Sequence, residues 1–300
     1  MELNNQDNSI LVKDFKKIAR NLTIVENDLL GSKDLLKGLK TLNTPVIGIT
    51  GPPGAGKSTL VNAMINYLSA QGKTIAVLAI DPTSPFNLGS LLGDRVRMAE
   101  QFNKPNVYIR SLATRGSLGG LSTKTIEMCD VLKSEGFDFI LVETVGVGQS
   151  EVEIAGLADI SVVVLVPEAG DEIQSMKSGL MEIADIFVVN KSDRDGAETF
   201  ANNLKKLVHQ KTEFIPVINT IADKLTGIDD LMAALENKSF KDNSRRTFLL
   251  AEKAWKLIQL EKMKNINRVK LQEEIILASA DPAFNLYRFV DQILYETKNS

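Results

Sequence analysis

The stretch Gly51–Pro52–Pro53–Gly54–Ala55–Gly56–Lys57–Ser58–Thr59 decides the fold. It fits the pattern G-x-x-x-x-G-K-[ST]. Its flanks are those the pattern needs: the β-branched run PVIGIT from Pro45 before it and the helix-like run LVNAMINYL from Leu60 after it. Glycines let such a loop wrap with its backbone N–H groups turned inward, and a helix starting at its end adds positive potential at the same point. A loop of this kind cradles phosphate. Lys57 is expected to reach the outer phosphates of a nucleotide, and the Ser58 hydroxyl to bind Mg²⁺.

Outward from this loop, short apolar runs recur, each followed by a helix-like segment. After PVIGIT come TIAVLAID from Thr74, NVYIR from Asn106, FDFILVET from Phe137, ISVVVLVPE from Ile160, IFVVNKSD from Ile186 and FIPVINT from Phe214. Most are apolar at both alternating sets of positions, as strands buried on both faces must be. Strand and helix alternating in this way imply right-handed crossovers and a mostly parallel sheet. The expected class is therefore α/β, a P-loop NTPase sheet flanked by helices, over 44–235. Residues 1–43 are polar and Lys-rich, with the apolar pairs Leu29–Leu30 and Leu35–Leu36, and read as a helical extension.

Residues 236–300 carry no strand signal. Phe248, Ala251, Trp255 and Ile258 recur at the spacing of an amphipathic helix, with Trp255 expected to pack the C-terminal helices. A second helix is expected around Leu271–Ala278. A third, carrying Phe289, Ile293 and Leu294, follows a turn at Asp281–Pro282. These helices either cap the sheet or form a dimer or partner surface, and both readings stand at this level. Their Lys and Arg side chains read as a solvated face.

With 44% apolar and 24% charged residues among 300, the chain is ordinary for a globular protein, which excludes disorder, collagen-like repeats and a disulfide-stapled scaffold. Lys plus Arg number 35 against 38 for Asp plus Glu, so no global charge favours nucleic acid or anionic lipid. The single cysteine, Cys129, can form neither an internal disulfide nor a multi-cysteine metal site, and reads as packed against the sheet. His209 reads as a solvated helix residue. The start MELNNQDNSI lacks the apolar core of a signal peptide. The longest apolar run, Ile160–Pro167, is far short of the ~20 residues that span a bilayer. A cytoplasmic protein with no nucleic-acid or membrane partner is expected.

Asn190–Lys191–Ser192–Asp193, at the end of the run IFVV, matches the N-K-x-D base-reading motif of P-loop GTPases. A carboxylate at Asp193 accepts from guanine N1–H and the N2 amino group, and adenine has neither donor. Asn190 is expected to tie the base loop to the phosphate loop, and the Lys191 stem to cover the base. Thr220–Ile221–Ala222 follows the next strand, where such GTPases read T-S-A and turn a backbone N–H towards guanine O6. Ile221, Ala222 and Asp223 are the candidates here. With the serine replaced by Ile221, hydroxyl support for this loop is expected to be lost.

Glu143–Thr144–Val145–Gly146 ends another strand where most GTPases carry D-x-x-G. The Gly146 N–H is expected to face the γ-phosphate and to release its loop on hydrolysis. Asp81, at the end of TIAVLAID, and Asp94, in GDRVRM, join Glu143 as carboxylates expected near Mg²⁺. Since Mg²⁺ keeps several waters, one or two of the three would act through water. Val147 stands where Ras-like GTPases place a water-orienting glutamine. Slow intrinsic hydrolysis awaiting a partner is therefore expected, even with Gln149 nearby.

Together GPPGAGKST, AIDPTSPF from Ala79, ATRGSLGGLS from Ala113, ETVGVGQSE from Glu143 and MEIADIFVVNKSD from Met181 closely resemble the MeaB/ArgK family. Its members are GTPase chaperones of adenosylcobalamin-dependent methylmalonyl-CoA mutase. An older family label is transport-system kinase for basic amino acids. The resemblance is dense over 44–228. It implies a homodimer built through the C-terminal helices that binds the mutase and gates adenosylcobalamin transfer, with GTP hydrolysis to GDP as timer. It also implies metal-site acids at Asp81, Asp94 and Glu143, a third switch over 168–177, and Lys177 reaching the nucleotide when the mutase docks. Lys57, Glu143, Gly146 and Lys177 are then the catalytic candidates. GDEIQSMKSG departs from the family's GDELQGIKKG at Ser175 and Ser178. The rival classes are a P-loop kinase or ATPase linked to basic amino-acid transport and a metal-delivery GTPase. N-K-x-D argues against the first, and the lack of His and Cys clusters against the second.

Overall fold

A computed structural model describes residues 13–40, 42–81, 98–113, 123–144, 154–170, 180–209, 214–238 and 244–299. The seven apolar runs become seven strands: β1 (Val46–Thr50), β2 (Ile75–Asp81), β3 (Val107–Ala113), β4 (Phe139–Thr144), β5 (Ile160–Leu165), β6 (Ile186–Val189) and β7 (Val217–Asn219). They form one sheet in the order β3-β2-β4-β1-β5-β6-β7, and every neighbouring pair is parallel. The expected α/β class is the one observed. The last run shrinks to three residues because Pro216, with no N–H, cannot donate to a ladder.

The sheet is covered on both faces, and the period-2 alternation of each strand sorts its side chains between two apolar layers. Ile47, Ile49, Val162, Val164, Ile186 and Val188 face one layer, completed by Leu60, Met64 and Leu68 of helix α3 (Lys57–Ala70) and Leu231, Met232 and Leu235 of a helix at Ile228–Asn237. Val46, Val163, Leu165, Phe187 and Val189 face the other. There they meet α1 (Phe15–Glu26), α4 (Thr123–Ser134) and α5 (Ala197–Val208), with α2 (Ser32–Lys37) alongside. The helix at Ile228–Asn237 is α6. Cys129 lies buried in the second layer, and His209 caps the C-terminus of α5, exposed.

The N-terminal helix is a full member of that layer. Ile18, Leu22 and Val25 recur at helical spacing and are wholly buried, while Asp14 caps the helix by accepting from the Lys17 N–H at 2.9 Å. The pair Leu29–Leu30 lies outside any helix and is exposed, because Asp28 (φ +49°) and Gly31 (φ +90°) turn the chain between α1 and α2. Leu35 and Leu36 pack against the core from α2.

The chain divides into two compact units between Thr247 and Phe248. The second consists of most of α7 (Ser244–Met263), with α8 (Arg268–Ala278) and α9 (Leu286–Asn299). The three expected helices are present. Trp255, however, does not pack them: it is 59% exposed, and α8 buries no residue at all. Three helices totalling so few residues bury too little surface against one another to enclose an indole.

Gly48, in the middle of β1, has no room for a side chain. A Cβ there would lie 2.6 Å from Ile154 Cγ1 and 2.8 Å from the Ala158 Cβ. Gly48→Ala is expected to cost about 1–3 kcal/mol through overpacking, read as a lower urea midpoint with an unchanged m-value.

Candidate nucleotide-binding site

Because all strands are parallel, the C-terminal ends of β1, β4, β5 and β6 share one edge. β1 sits where the strand order reverses, with β4 on one side and β5 on the other, the place where open α/β sheets leave a ligand crevice. The loop from Gly51 crosses this edge into α3. Gly51 has φ +139°, and a Cβ on it would lie 2.1 Å from the Val164 carbonyl oxygen, so only glycine fits. Helical bonding starts at once, with the Leu60 N–H donating to Gly56 O at 2.9 Å, so the first N–H groups of α3 face the loop interior. Lys57 is 7% exposed, and its ammonium donates to Gly51 O at 2.7 Å and Pro52 O at 2.9 Å. The loop thus wraps around its own cation. Thr59 continues α3 behind it.

Ser58 Oγ donates to Glu143 Oε1 at 2.6 Å. Glu143, 6% exposed, stands on β4 opposite Ile49 of β1 and Ala79 of β2. Next to it the Thr144 hydroxyl donates to Thr50 Oγ1 at 3.0 Å, joining the tips of β4 and β1. A hydroxyl and a carboxylate, both hard oxygen donors and both beside the phosphate loop, suit Mg²⁺, which takes few protein ligands and keeps its waters. Asp81 is the last residue of β2, at the same sheet edge. Among the described residues no group of three His, Cys, Asp or Glu side chains converges as a metal cluster. Asp94, Gly146, Val147, Gln149 and Lys177 lie outside the described residues, as do Ser175 and Ser178.

The loop after β6 is fastened to the phosphate loop. Asn190, 2% exposed, donates from Nδ2 to Ala55 O at 2.9 Å, while its Oδ1 accepts from Thr220 Oγ1 at 3.1 Å and from the Ala222 N–H at 3.2 Å. Gly56 makes the approach possible, since a Cβ there would sit 2.4 Å from Asn190 Nδ2. Lys191, with φ +56°, extends its ammonium to Gly54 O at 2.7 Å. Asn190, Lys191 and the loop Gly51–Gly56 therefore form one hydrogen-bonded unit. Ile221 exchanges backbone hydrogen bonds with Thr226 at 3.1 and 3.2 Å, and Ala222 and Asp223 lie in the 3-10 turn that follows.

Loss of the serine at Ile221 does not remove hydroxyl support, contrary to expectation. Thr220 supplies it to Asn190, and Ser192 Oγ donates to Thr220 O at 3.0 Å. A hydroxyl one residue earlier reaches the same loop because Thr220 is wholly buried beneath it. Two ion pairs also escape sequence reading. Arg194 pairs with Glu168, and Lys224 Nζ lies 2.9 Å from Asp193 Oδ2. The Lys224 hydrogen bond holds the Asp193 carboxyl below its ordinary range, and Arg194 does the same for Glu168. The only sequence signal is the presence of lone cations next to the motif.

From Ile18 to Ala278 the chain matches the family described as methylmalonyl-CoA mutase-associated GTPase MeaB. The chain belongs to that family. A Pyrococcus horikoshii protein named as a GTPase is 47% identical over 250 residues, covering 80% of this chain and 78% of its own. The mouse mitochondrial methylmalonic aciduria type A homolog is 48% identical over 149 residues, covering 50% of this chain and 36% of its own. In fold, the crystal structure of an LAO/AO transport system kinase superposes with a TM-score of 0.63 at 24% identity, covering 97% of this chain and 95% of that one. The family resemblance read from the motifs is thus borne out, and the GTPases of this family bind a guanine nucleotide on a P-loop. Among the described residues no helix is long and apolar enough to cross a membrane.

Asn190→Ala would leave Ala55 O and the Ala222 N–H without their partner in a buried setting. A loss of about 1–3 kcal/mol is expected, measurable as a lower thermal or urea midpoint.

Proposed function

We propose that this chain binds GTP at Gly51–Thr59, hydrolyses it slowly, and uses the cycle to gate adenosylcobalamin loading of an acyl-CoA mutase of the methylmalonyl-CoA mutase type. In this role it protects or reactivates that enzyme. The observation that carries the reading is the Asn190 carboxamide bonded to both Ala55 O and the Ala222 N–H. It holds the loop proposed to read guanine at a set distance from the proposed phosphate loop. The family's description and the mouse relative's name support the mutase as partner.

In the proposed cycle the triphosphate lies against the N–H groups of the loop and the start of α3. Lys57 exchanges the carbonyls of Gly51 and Pro52 for phosphate oxygens. Ser58 and Glu143 would hold Mg²⁺, with Asp81 and Asp94 acting through water, and the ion would supply positive charge against the phosphate oxygens. Asp193 accepts from guanine N1–H and the N2 amino group, with Ile221, Ala222 and Asp223 along the O6 edge. The attacking water forms a bond to the γ-phosphorus as the bond to the β-phosphate oxygen breaks, giving GDP and phosphate. Gly146 meets the γ-phosphate. Val147 offers no group to orient the water, so the rate is set by a partner that completes the site, with Lys177 as the chain's own contribution.

The proposed assembly is a cytoplasmic homodimer through the C-terminal helices. Trp255, Ile258, Val269, Ile276 and Leu286, each half exposed or more, support this, since isolated chains rarely leave so many apolar groups in water within one small unit. Adenosylcobalamin enters only through the partner enzyme.

Purified protein is expected to turn over GTP on the order of 10⁻² s⁻¹ or more slowly. The rate should rise severalfold when an adenosylcobalamin-dependent acyl-CoA mutase from the same source is added. A rate indifferent to the mutase would remove that partner, and ADP bound more tightly than GDP would overturn the guanine reading. Asp193→Asn should weaken GDP binding at least ~10-fold while improving XDP, because an amide cannot accept both donors. Trp255→Lys should leave the fold intact and convert a dimer to a monomer by light scattering.

A further inference from the structure

Lys224 reaches Asp193 from a neighbouring loop, and both ends of the contact rest on fixed backbone. On its side, the turn Ala222–Lys224 is pinned by the Ala222 N–H on Asn190 Oδ1 and closed by Leu225 at φ +58°, which returns the chain to the Ile221–Thr226 pair. On the other side, the Ser192 N–H donates to Thr220 O at 3.0 Å, which sets the Asp193 backbone. Lys224 and Asp193 are 60% and 40% exposed. An ion pair so open to water contributes little to folding. Its geometry is nonetheless specific, because Nζ sits at 2.9 Å from Oδ2.

A carboxylate has about four acceptor positions on two oxygens. One ammonium takes one of them, leaving room for the two parallel donors of a guanine edge, while restricting rotation about the carboxylate's own bond. We propose that Lys224 is a positioning residue for base specificity, locking the Asp193 carboxylate in the orientation that reads the guanine N2 amino group. This rests on the guanine reading of Asp193. Hydrogen bonding from Lys224 also lowers the pKa of this carboxyl, and the ionised carboxylate is acceptor-only.

The test measures Kd for GDP, IDP and ADP with the intact protein and with Lys224→Met and Lys224→Arg. IDP lacks the N2 amino group, so the GDP-to-IDP preference isolates the contact that Lys224 orients. Lys224→Met is expected to melt at the same temperature as the parent and to lose about three- to tenfold of that preference. Lys224→Arg, still a donor, is expected to restore most of it. An unchanged preference in Lys224→Met, or tighter GDP binding, would overturn the proposal, the latter because it would make Lys224 a competitor of the base. If the parent protein itself fails to prefer GDP over ADP, the guanine reading falls first. A parent preference that survives Lys224→Met unaltered refutes the role of Lys224 alone.

Discussion

The Asn190 carboxamide has three hydrogen-bonding commitments, and they fasten three segments: Ala55 in the phosphate loop, Thr220 at the end of β7, and Ala222 in the turn beyond. Inside a protein each bond is strengthened by the low dielectric, and each would be costly to leave unmade. The carboxamide reaches Ala55 only because Gly56 has no side chain, and Gly56 is displayed at that point only because Gly51 lets the chain pass the Val164 carbonyl. The geometry of the loop after β1 and that of the loops after β6 and β7 therefore share one constraint.

The parallel sheet turns that constraint into a site. Helix N-termini and strand C-termini gather on one edge, so Ser58, beside Lys57 at the start of α3, meets Glu143 from 85 positions further along the chain. Burial of Lys57 and Glu143 at this edge makes their charges act at short range and little screened by salt. The pairs Lys224–Asp193 and Arg194–Glu168 are far more open to water, so they add little to folding stability and matter for how they orient their carboxylates.

Much of this was legible in the sequence, for definite reasons. Runs such as ISVVVL have no polar face, so nothing but a two-sided sheet can bury them, and all six residues of that strand are buried. G-x-x-x-x-G-K-[ST] between a strand and a helix carries its own mechanism. Other features depend on side chains meeting across distant loops, and no local pattern announces them. The Thr220 hydroxyl replaces a missing serine because of the depth at which its residue lies, and Lys224 finds Asp193 because Leu225 adopts a left-handed turn. The N-terminal segment reads as helical from Leu29–Leu30 and Leu35–Leu36, but its buried face is Ile18, Leu22 and Val25, which only the sheet layer that receives them reveals. Trp255 shows the converse: its stripe was readable, but among the described residues it stays more than half exposed.

The position of β1 has a consequence for the chain as it is synthesised. β1 is the centre of the sheet, yet its partners come late: the Val46 N–H is bonded by Asp159, 113 positions further on, and Thr50 by Thr144, 94 positions on. At about 5–20 residues per second, several seconds of translation pass before either neighbour exists. The phosphate loop therefore leaves the ribosome long before it has a scaffold, and pairings this distant in sequence form slowly in any case. Until β4 and β5 arrive, VIGIT is an unpaired strand, apolar but for Thr50, that needs shelter from aggregation during its own birth.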